Sequence, residues 1–375
     1  MQKLKLMTIV GTRPEIIRLS EVLKRADLYF NHTLVHTGQN YDYELNQIFF
    51  EDLRLRQPDY FLEAAGADLG ETMGNIIAKS YALIAAQKPD ALLVLGDTNS
   101  ALAAISAKRL KVPIFHMEAG NRCWDWNVSE MINRKIVDHI SDINLPYTEN
   151  SRRYLLSEGI DGKTVFVTGS PMAEVLDAHM DRILESDVLA RLGLAENGYI
   201  LLSAHREENI DNEDNFMSLM GAVNRIAGRI GLPIVYSCHP RSKKMIEKRG
   251  FTFHPLVQSL PPFGFLDYNK LQMNAHCVLS DSGTLSEESA ILGFAGVLIR
   301  TSTERPEALD AGSVVVGGIT GDDVEQAMDL AVAMRDNGER KGLPDDYRDK
   351  NVSVKVIKTI QSYAKIVDQT VWLKR

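Results

Sequence analysis

The sequence predicts an α/β protein built from two doubly wound, Rossmann-like domains that face a central cleft. Three observations predict it. Short apolar, β-branched runs alternate with helical patterns almost from end to end; the series restarts near residue 172; and 375 residues suit two cores of ordinary size better than one.

The first run, Leu6-Met7-Thr8-Ile9-Val10, meets Gly11 and then a helical pattern containing EIIRLSEVL. Two lysines precede it, but it enters the glycine turn without a small-residue cleavage site and is read as a core strand at 5–10. Further strands are expected at 32–36, 91–95, 113–117, 142–146 and 164–168, and then at 199–203, 233–237, 277–280, 296–300 and 313–316. Most are separated by apolar spacings of three and four, as in Ile76-Ile77-Ser80-Tyr81-Ile84, which give crossover helices and parallel pairing. After VFVTGSPMAEVL comes a charged helical stretch at 173–192, then Asn197-Gly198 and the new strand YILLSAH. The expected domains are 1–172 and 173–355, with 356–375 in a last amphipathic helix that crosses back to the first domain.

A net charge of −8 argues against broad binding to nucleic acid or an anionic membrane surface, and no apolar run approaches the ~20 residues that span a bilayer. Cys123, Cys238 and Cys277 are far apart and form no C-x-x-C, which fits reduced thiols in a cytoplasm and supplies no metal framework.

Ligands of open parallel sheets bind beyond the carboxyl ends of the strands. In the first half those ends read Gly11-Thr12-Arg13, Gly96-Asp97-Thr98 and Glu118-Ala119-Gly120; in the second, His205-Arg206-Glu207, His239-Pro240-Arg241 and Asp281-Ser282-Gly283-Thr284. Carboxylates gather on one side, histidines, arginines and a Gly-Ser turn on the other. Ser282 and Gly283 are expected to open the helix LSEESAIL, whose N-terminal N–H groups favour a phosphate, with Glu287 or Glu288 one turn in for a ribose hydroxyl. A plain cap with first-turn acids gives the same pattern. His205 and His239 each precede an arginine and lack the spacing of a zinc site, so no metal is expected. Asp97 could cap a helix at Asn99, and Glu130 could pair with Arg134 across one turn. Glu118 ends an apolar strand, so its carboxylate should face the cleft; two such neighbours hold different pKa values and supply an acid and a base. Arg13, at the mouth of the cleft, could clamp a diphosphate.

GTRPEIIR, TGQNYD, GDTNS, HMEAGNR, SEMINRKIVDH, TGSP, SAHREEN, HPRS, SDSGTLSEES and TERPEAL follow one another from residue 11 to residue 309. With them the chain resembles the non-hydrolysing UDP-N-acetylglucosamine 2-epimerases, which have a glycosyltransferase-B-like fold. The resemblance implies anti-elimination of UDP across C1–C2 to a 2-acetamidoglycal and re-addition from the opposite face, which avoids direct removal of a non-acidic proton. No hydride moves, so no cofactor is implied, in keeping with the missing G-x-G-x-x-G. It also implies roles: Asp97, Glu118 and Glu130 as catalytic carboxylates, and His205 beside the diphosphate to help UDP leave. Arg13, Arg18, His239, Ser282, Gly283, Glu288 and Arg305 would bind substrate, with Tyr268 near uracil. Gln39 falls where some relatives contact a regulatory nucleotide sugar, and no such role is assigned to it. A homodimer in the cytoplasm is the implied state.

Two departures bear on the sugar. One carboxylate, Glu130 in Ser129-Glu130-Met131, stands where the family has paired glutamates, and the loop NRCWDWNV is short and aromatic. NRC followed by an aromatic residue and Asp, with INRKIVDH and SDIN, resembles the branch that converts UDP-2-acetamido-2,6-dideoxy-L-talose to UDP-N-acetyl-L-fucosamine for capsule or O-antigen. UDP-N-acetylglucosamine is the alternative substrate, and a glycosyltransferase, a hydrolysing epimerase or a silent UDP-sugar sensor are the rival functions.

Overall fold

The computed structural model describes residues 3–38, 43–126, 128–339 and 342–374, without the side chains of 43–46, 207 and 208; Gln39 and the rest of the QNYD stretch lie outside them. The chain forms two compact units, Met1–Ala178 with Arg348–Arg375, and His179–Tyr347.

Unit 1 holds a six-stranded sheet of β1 (Lys5–Val10), β2 (Asn31–His36), β3 (Tyr60–Phe61), β4 (Ala91–Leu95), β5 (Ile114–Met117) and β6 (Ile143–Leu145). Their order is β3-β2-β1-β4-β5-β6 and every pairing is parallel. Unit 2 repeats the plan with β7 (Ile200–Ser203), β8 (Ile234–Ser237), β9 (Val257–Leu260), β10 (Cys277–Ser280), β11 (Gly296–Leu298) and β12 (Val315–Val316), ordered β12-β11-β10-β7-β8-β9 and again parallel. In each sheet the winding reverses between its first and fourth strands, β1 and β4 or β7 and β10, and such a switch point opens a crevice at the carboxyl ends.

Both faces of each sheet are covered by helices, which is why the central strands read as continuous apolar runs. Met7, Ile9, Leu92, Val94 and Ile114 are buried in unit 1; Ile200, Leu202, Tyr236 and Leu279 lie on one face of the second sheet, and Tyr199, Leu201, Val235 and Val278 on the other. The helix Val352–Thr370 buries Val352, Val356, Ile360, Ala364 and Val367 and packs on the helix Arg13–Tyr29. Arg25 Nε donates to Ser353 Oγ at 2.5 Å, and Ser353 N donates to Glu174 Oε2 at 2.8 Å.

The expected strands form, with ends shifted by at most two residues, except 164–168. There Val165 makes one isolated bridge to Asn144, and Phe166 N and Thr168 N donate to Asn144 O and Pro146 O at 3.0 Å, so the run follows the sheet edge without forming a continuous strand. The short edge strands β3 and β9 were not expected: Tyr60 and Phe61 are exposed, and VQSL lacks an apolar face.

Among the described residues no helix is long and apolar enough to cross a membrane, and no group of His, Cys, Asp and Glu is placed to hold a metal ion. Cys123, Cys238 and Cys277 are buried free thiols.

Candidate active site

At the switch point of unit 1, β1 ends in Gly11 and the helix Arg13–Tyr29 begins with Thr12 as N-cap and Pro14 in the first turn. The capping oxygen comes from elsewhere. Glu15 accepts from Gly11 N at 3.0 Å and Thr12 Oγ1 at 2.7 Å, and its other oxygen accepts from Ser100 Oγ, which joins the β1 turn to the β4 turn. Burial pushes the Glu15 carboxyl up to about 7, against the opposing hydrogen bonds of Ser100, Thr12 and Gly11. A carboxyl raised in this way stabilises the fold when protonated; that contribution is complete below the unfolded value of 4.5 and is lost as pH rises through about 7. Glu15→Gln therefore removes up to about 3 kcal/mol of the stability that the wild type loses between pH 4.5 and 7. Urea denaturation of both proteins at pH 5 and pH 8 measures it, and a gap that does not change with pH rejects the assignment.

One turn on, Arg18 Nη1 pairs with Glu118 Oε2, both side chains being almost wholly buried. Glu118 Oε1 accepts from Asn121 Nδ2 at 2.9 Å, so each carboxylate oxygen has a donor. Glu118 takes φ +63°, an unfavourable backbone for a residue with a Cβ, and such strain persists where the surroundings over-determine it. They do so here: Glu118 N donates to Leu145 O at 3.1 Å, and Gly120 N donates to both oxygens of Asp138 at 3.2 Å. Asp138 in turn meets His116 Nδ1 at 3.0 Å and Arg122 Nη1 at 2.8 Å, beneath the strand end.

Asp97, after β4, accepts from Arg134 Nε at 2.7 Å, and Asn133 Nδ2 donates to the Asp97 carbonyl at 2.8 Å. Its carboxyl titrates above the usual range because burial outweighs the Arg134 guanidinium, and the charges of Glu118 and Glu130 push it further. Asp97, Glu118 and Glu130 are thus one electrostatic group with Arg18 and Arg134 among them. Glu130 opens the helix Glu130–Ile140. The Arg13 guanidinium lies 5.8 Å from the Phe49 ring centroid.

Before that helix, Trp124 and Trp126 are 59% and 67% exposed. Trp124 stacks edge-on with Tyr154 at 5.5 Å and lies under Lys135 Nζ at 5.6 Å. Cys123, Val128 and Met131 form a small apolar cluster that pins both ends of the loop.

At the switch point of unit 2, Asp281 organises the turn after β7. Its Oδ2 accepts from His205 N at 2.8 Å, Arg206 N at 2.9 Å and Asn209 Nδ2 at 3.1 Å, and its Oδ1 is 3.3 Å from His205 Nδ1. The His205 ring lies 6.0 Å from that of His239. His239 is the N-cap of the helix Pro240–Arg249, its Nδ1 accepting from Arg241 N at 3.3 Å. The expected helix LSEESAIL forms as Leu285–Leu292 with Thr284 as its N-cap, and in the turn before it Ser282 Oγ accepts from Thr284 N at 3.4 Å. Gly283 lies close to Glu304: a Cβ there would stand 2.5 Å from Glu304 Oε1, so a larger residue would have to displace that carboxylate. Glu304 meets Arg300 at 2.7 Å and Arg206 at 3.6 Å, and Arg305 meets Glu287 at 3.4 Å. Glu288, in the helix, accepts from Gln272 Nε2 at 2.6 Å; the Tyr268 hydroxyl is pushed up by burial first and by the Glu288 charge next.

Glu15, Asn121, Gln272 and Glu304 carry much of this geometry and were not singled out as site residues from sequence. The signal that could have found Glu304 is the run Arg300…Glu304-Arg305, where charges sit just beyond an apolar strand.

Two parallel sheets in this order, with the polar residues gathered at their switch points, define the glycosyltransferase-B-like class of α/β proteins. A family model described as UDP-N-acetylglucosamine 2-epimerase matches residues 22–361. The UDP-N-acetylglucosamine 2-epimerase structure from Rickettsia bellii is 45% identical with a TM-score of 0.91, covering 100% of both chains. That of Methanocaldococcus jannaschii, in complex with UDP-GlcNAc and UDP, is 29% identical with a TM-score of 0.89, over 96% of this chain and 100% of that one. A Pseudomonas aeruginosa relative, a UDP-2,3-diacetamido-2,3-dideoxy-D-glucuronate 2-epimerase, is 34% identical over 90% of this chain and 96% of its own. The chain belongs to the UDP-N-acetylglucosamine 2-epimerase family, a family of isomerases.

Proposed function

We propose that the protein inverts C2 of a UDP-2-acetamido sugar by anti-elimination of UDP and re-addition to the 2-acetamidoglycal. In this reading Asp97, Glu118 and Glu130 handle the C2 proton. His205, held by Asp281, assists departure of UDP, while Ser282, Gly283, Arg13 and His239 grip the diphosphate. Arg18 and Arg305 hold the carboxylates beside them, and Glu288 and Tyr268 take the nucleoside. One observation carries the reading: Asp97 is raised above the ordinary carboxylate range beside a Glu118 that is paired with a guanidinium, which gives one carboxyl able to hold a proton and one built to stay anionic.

The sugar we favour is UDP-2-acetamido-2,6-dideoxy-L-talose, giving UDP-N-acetyl-L-fucosamine for capsule or O-antigen assembly in the cytoplasm. The exposed Trp124 and Trp126 support it, since apolar rings suit a C6 methyl better than a hydroxyl that needs a partner. The P. aeruginosa relative supports a family that accepts modified 2-acetamido sugars. UDP-N-acetylglucosamine is the second reading, favoured by the name of the 45% identical R. bellii protein. We also propose a homodimer, which light scattering of the purified protein would read directly.

Proton NMR of each UDP-sugar with the enzyme in deuterated water separates the readings. Conversion of the L-talose compound with deuterium at C2 is the expected result. A clear preference for UDP-N-acetylglucosamine removes the 6-deoxy sugar. Free sugar plus UDP means a hydrolysing enzyme, an acceptor requirement means a transferase, and no reaction with either removes the epimerase.

A further inference from the structure

His116 is wholly buried in β5, whose other residues, Ile114, Phe115 and Met117, are apolar. A central parallel strand is covered on both faces, so an imidazole there costs desolvation that a leucine would not. Its Nε2 lies 2.8 Å from Gly96 O. A carbonyl oxygen can only accept, so Nε2 carries the proton and donates. Nδ1 stands 3.0 Å from Asp138 Oδ1 but out of line for a hydrogen bond. Asp138 does not require it, since that carboxylate already accepts from Arg122 Nη1 at 2.8 Å and from Gly120 N at 3.2 Å. The well-formed bond of the ring is the one to Gly96.

Gly96 immediately precedes Asp97. The peptide between them is planar, so holding the Gly96 carbonyl fixes the direction in which the chain enters Asp97. The next carbonyl, Asp97 O, accepts from Asn133 Nδ2 at 2.8 Å, and the Asp97 carboxyl accepts from Arg134 Nε at 2.7 Å. Both peptides that flank Asp97 are therefore held by side chains of other elements, His116 of β5 and Asn133 of the helix Glu130–Ile140. Gly96 itself has φ +72°, a conformation that glycine adopts without strain, and a Cβ there would stand 3.8 Å from Glu118 Oε2. The residue that His116 holds thus adjoins both carboxylates: it precedes one in the chain and packs beside the other.

We propose that His116 is a positioning residue for C2 proton transfer, its donated hydrogen bond setting the backbone on which Asp97 is presented beside Glu118. The inference rests on the reading that these two carboxylates handle the C2 proton. His116 transfers no proton and touches no substrate; it acts through Gly96. A misplacement of 1 Å can cost a reaction about 10²-fold, so a donor that fixes this carbonyl acts on turnover more than on binding.

The test compares the wild type with His116→Gln and His116→Asn, using UDP-2-acetamido-2,6-dideoxy-L-talose and UDP-N-acetylglucosamine for turnover, UDP for calorimetric titration, and thermal melts for folding. A glutamine amide nitrogen is three bonds beyond Cβ, as Nε2 is, and can still donate to Gly96 O; an asparagine nitrogen falls one bond short, near the place of Nδ1. His116→Gln should keep kcat within about threefold of wild type, whereas His116→Asn should lose about 10–100-fold, with UDP affinity within about threefold in both. Equal kcat in the two folded variants, whether high or low, overturns the proposal, and so does a loss of UDP affinity that matches the loss of kcat. Loss of folding in either variant assigns His116 to the core and overturns it as well. A wild type that binds UDP but converts neither sugar removes the underlying reading of Asp97 and Glu118, and this proposal with it.

Discussion

Replacing Glu118 with Gln lowers turnover by about 10²–10⁴-fold, the range a positioned proton-transfer group contributes. The substitution keeps the volume of the side chain but removes the charge that faces Arg18 and the basic oxygen that a C2 proton would need. UDP affinity should stay within about threefold of wild type, because the residues proposed to hold UDP belong largely to unit 2. Breaking a buried ion pair also costs stability, of order 3–5 kcal/mol, so the variant must be assayed below its own melting temperature. Turnover within tenfold of wild type in a folded variant would remove Glu118 from the proton path.

The second large effect is on folding. Gly120→Ala should destabilise unit 1 by about 3–5 kcal/mol, from left-handed backbone strain together with overpacking. Gly120 has φ +82°, and a Cβ there would stand 2.4 Å from Ser151 O and 2.9 Å from Leu155 Cγ. Neither neighbour can retreat easily: Ser151 lies in the helix Glu149–Ser157, and Leu155 is fully buried one turn on. Calorimetry should show a melting temperature roughly 10 °C lower for a unit of this size. A shift under 2 °C would mean that the helix yields and that the close approach is not required.

The fold was largely legible because buried parallel strands announce themselves as apolar runs, and both sheets consist mainly of such strands. What was hidden lay at the edges: β3 and β9 carry exposed residues and no clear period, while the apolar run at 164–168 stays outside the ladder. The site was legible one residue at a time, through the polar residue after each strand. Its connections were not. Local spacing offers Arg134 the pairing with Glu130, one turn away, and does not show that its guanidinium reaches Asp97 across 37 positions of sequence. Nothing local marks Glu15, and only tertiary structure shows it buried against Ser100 with a raised pKa. Burial and cross-strand partners come from packing, and local sequence patterns do not encode them.

Unit 1 is built from two stretches of chain separated by the whole of unit 2, and its last helix supplies Ser353 to Glu174 and Arg25. The last piece of unit 1 is therefore translated only after the whole of unit 2. Until then the apolar side of the helix Arg13–Tyr29 that awaits this piece remains open to water. A chain that ends before residue 352 should accordingly leave that side exposed and fold unit 1 poorly.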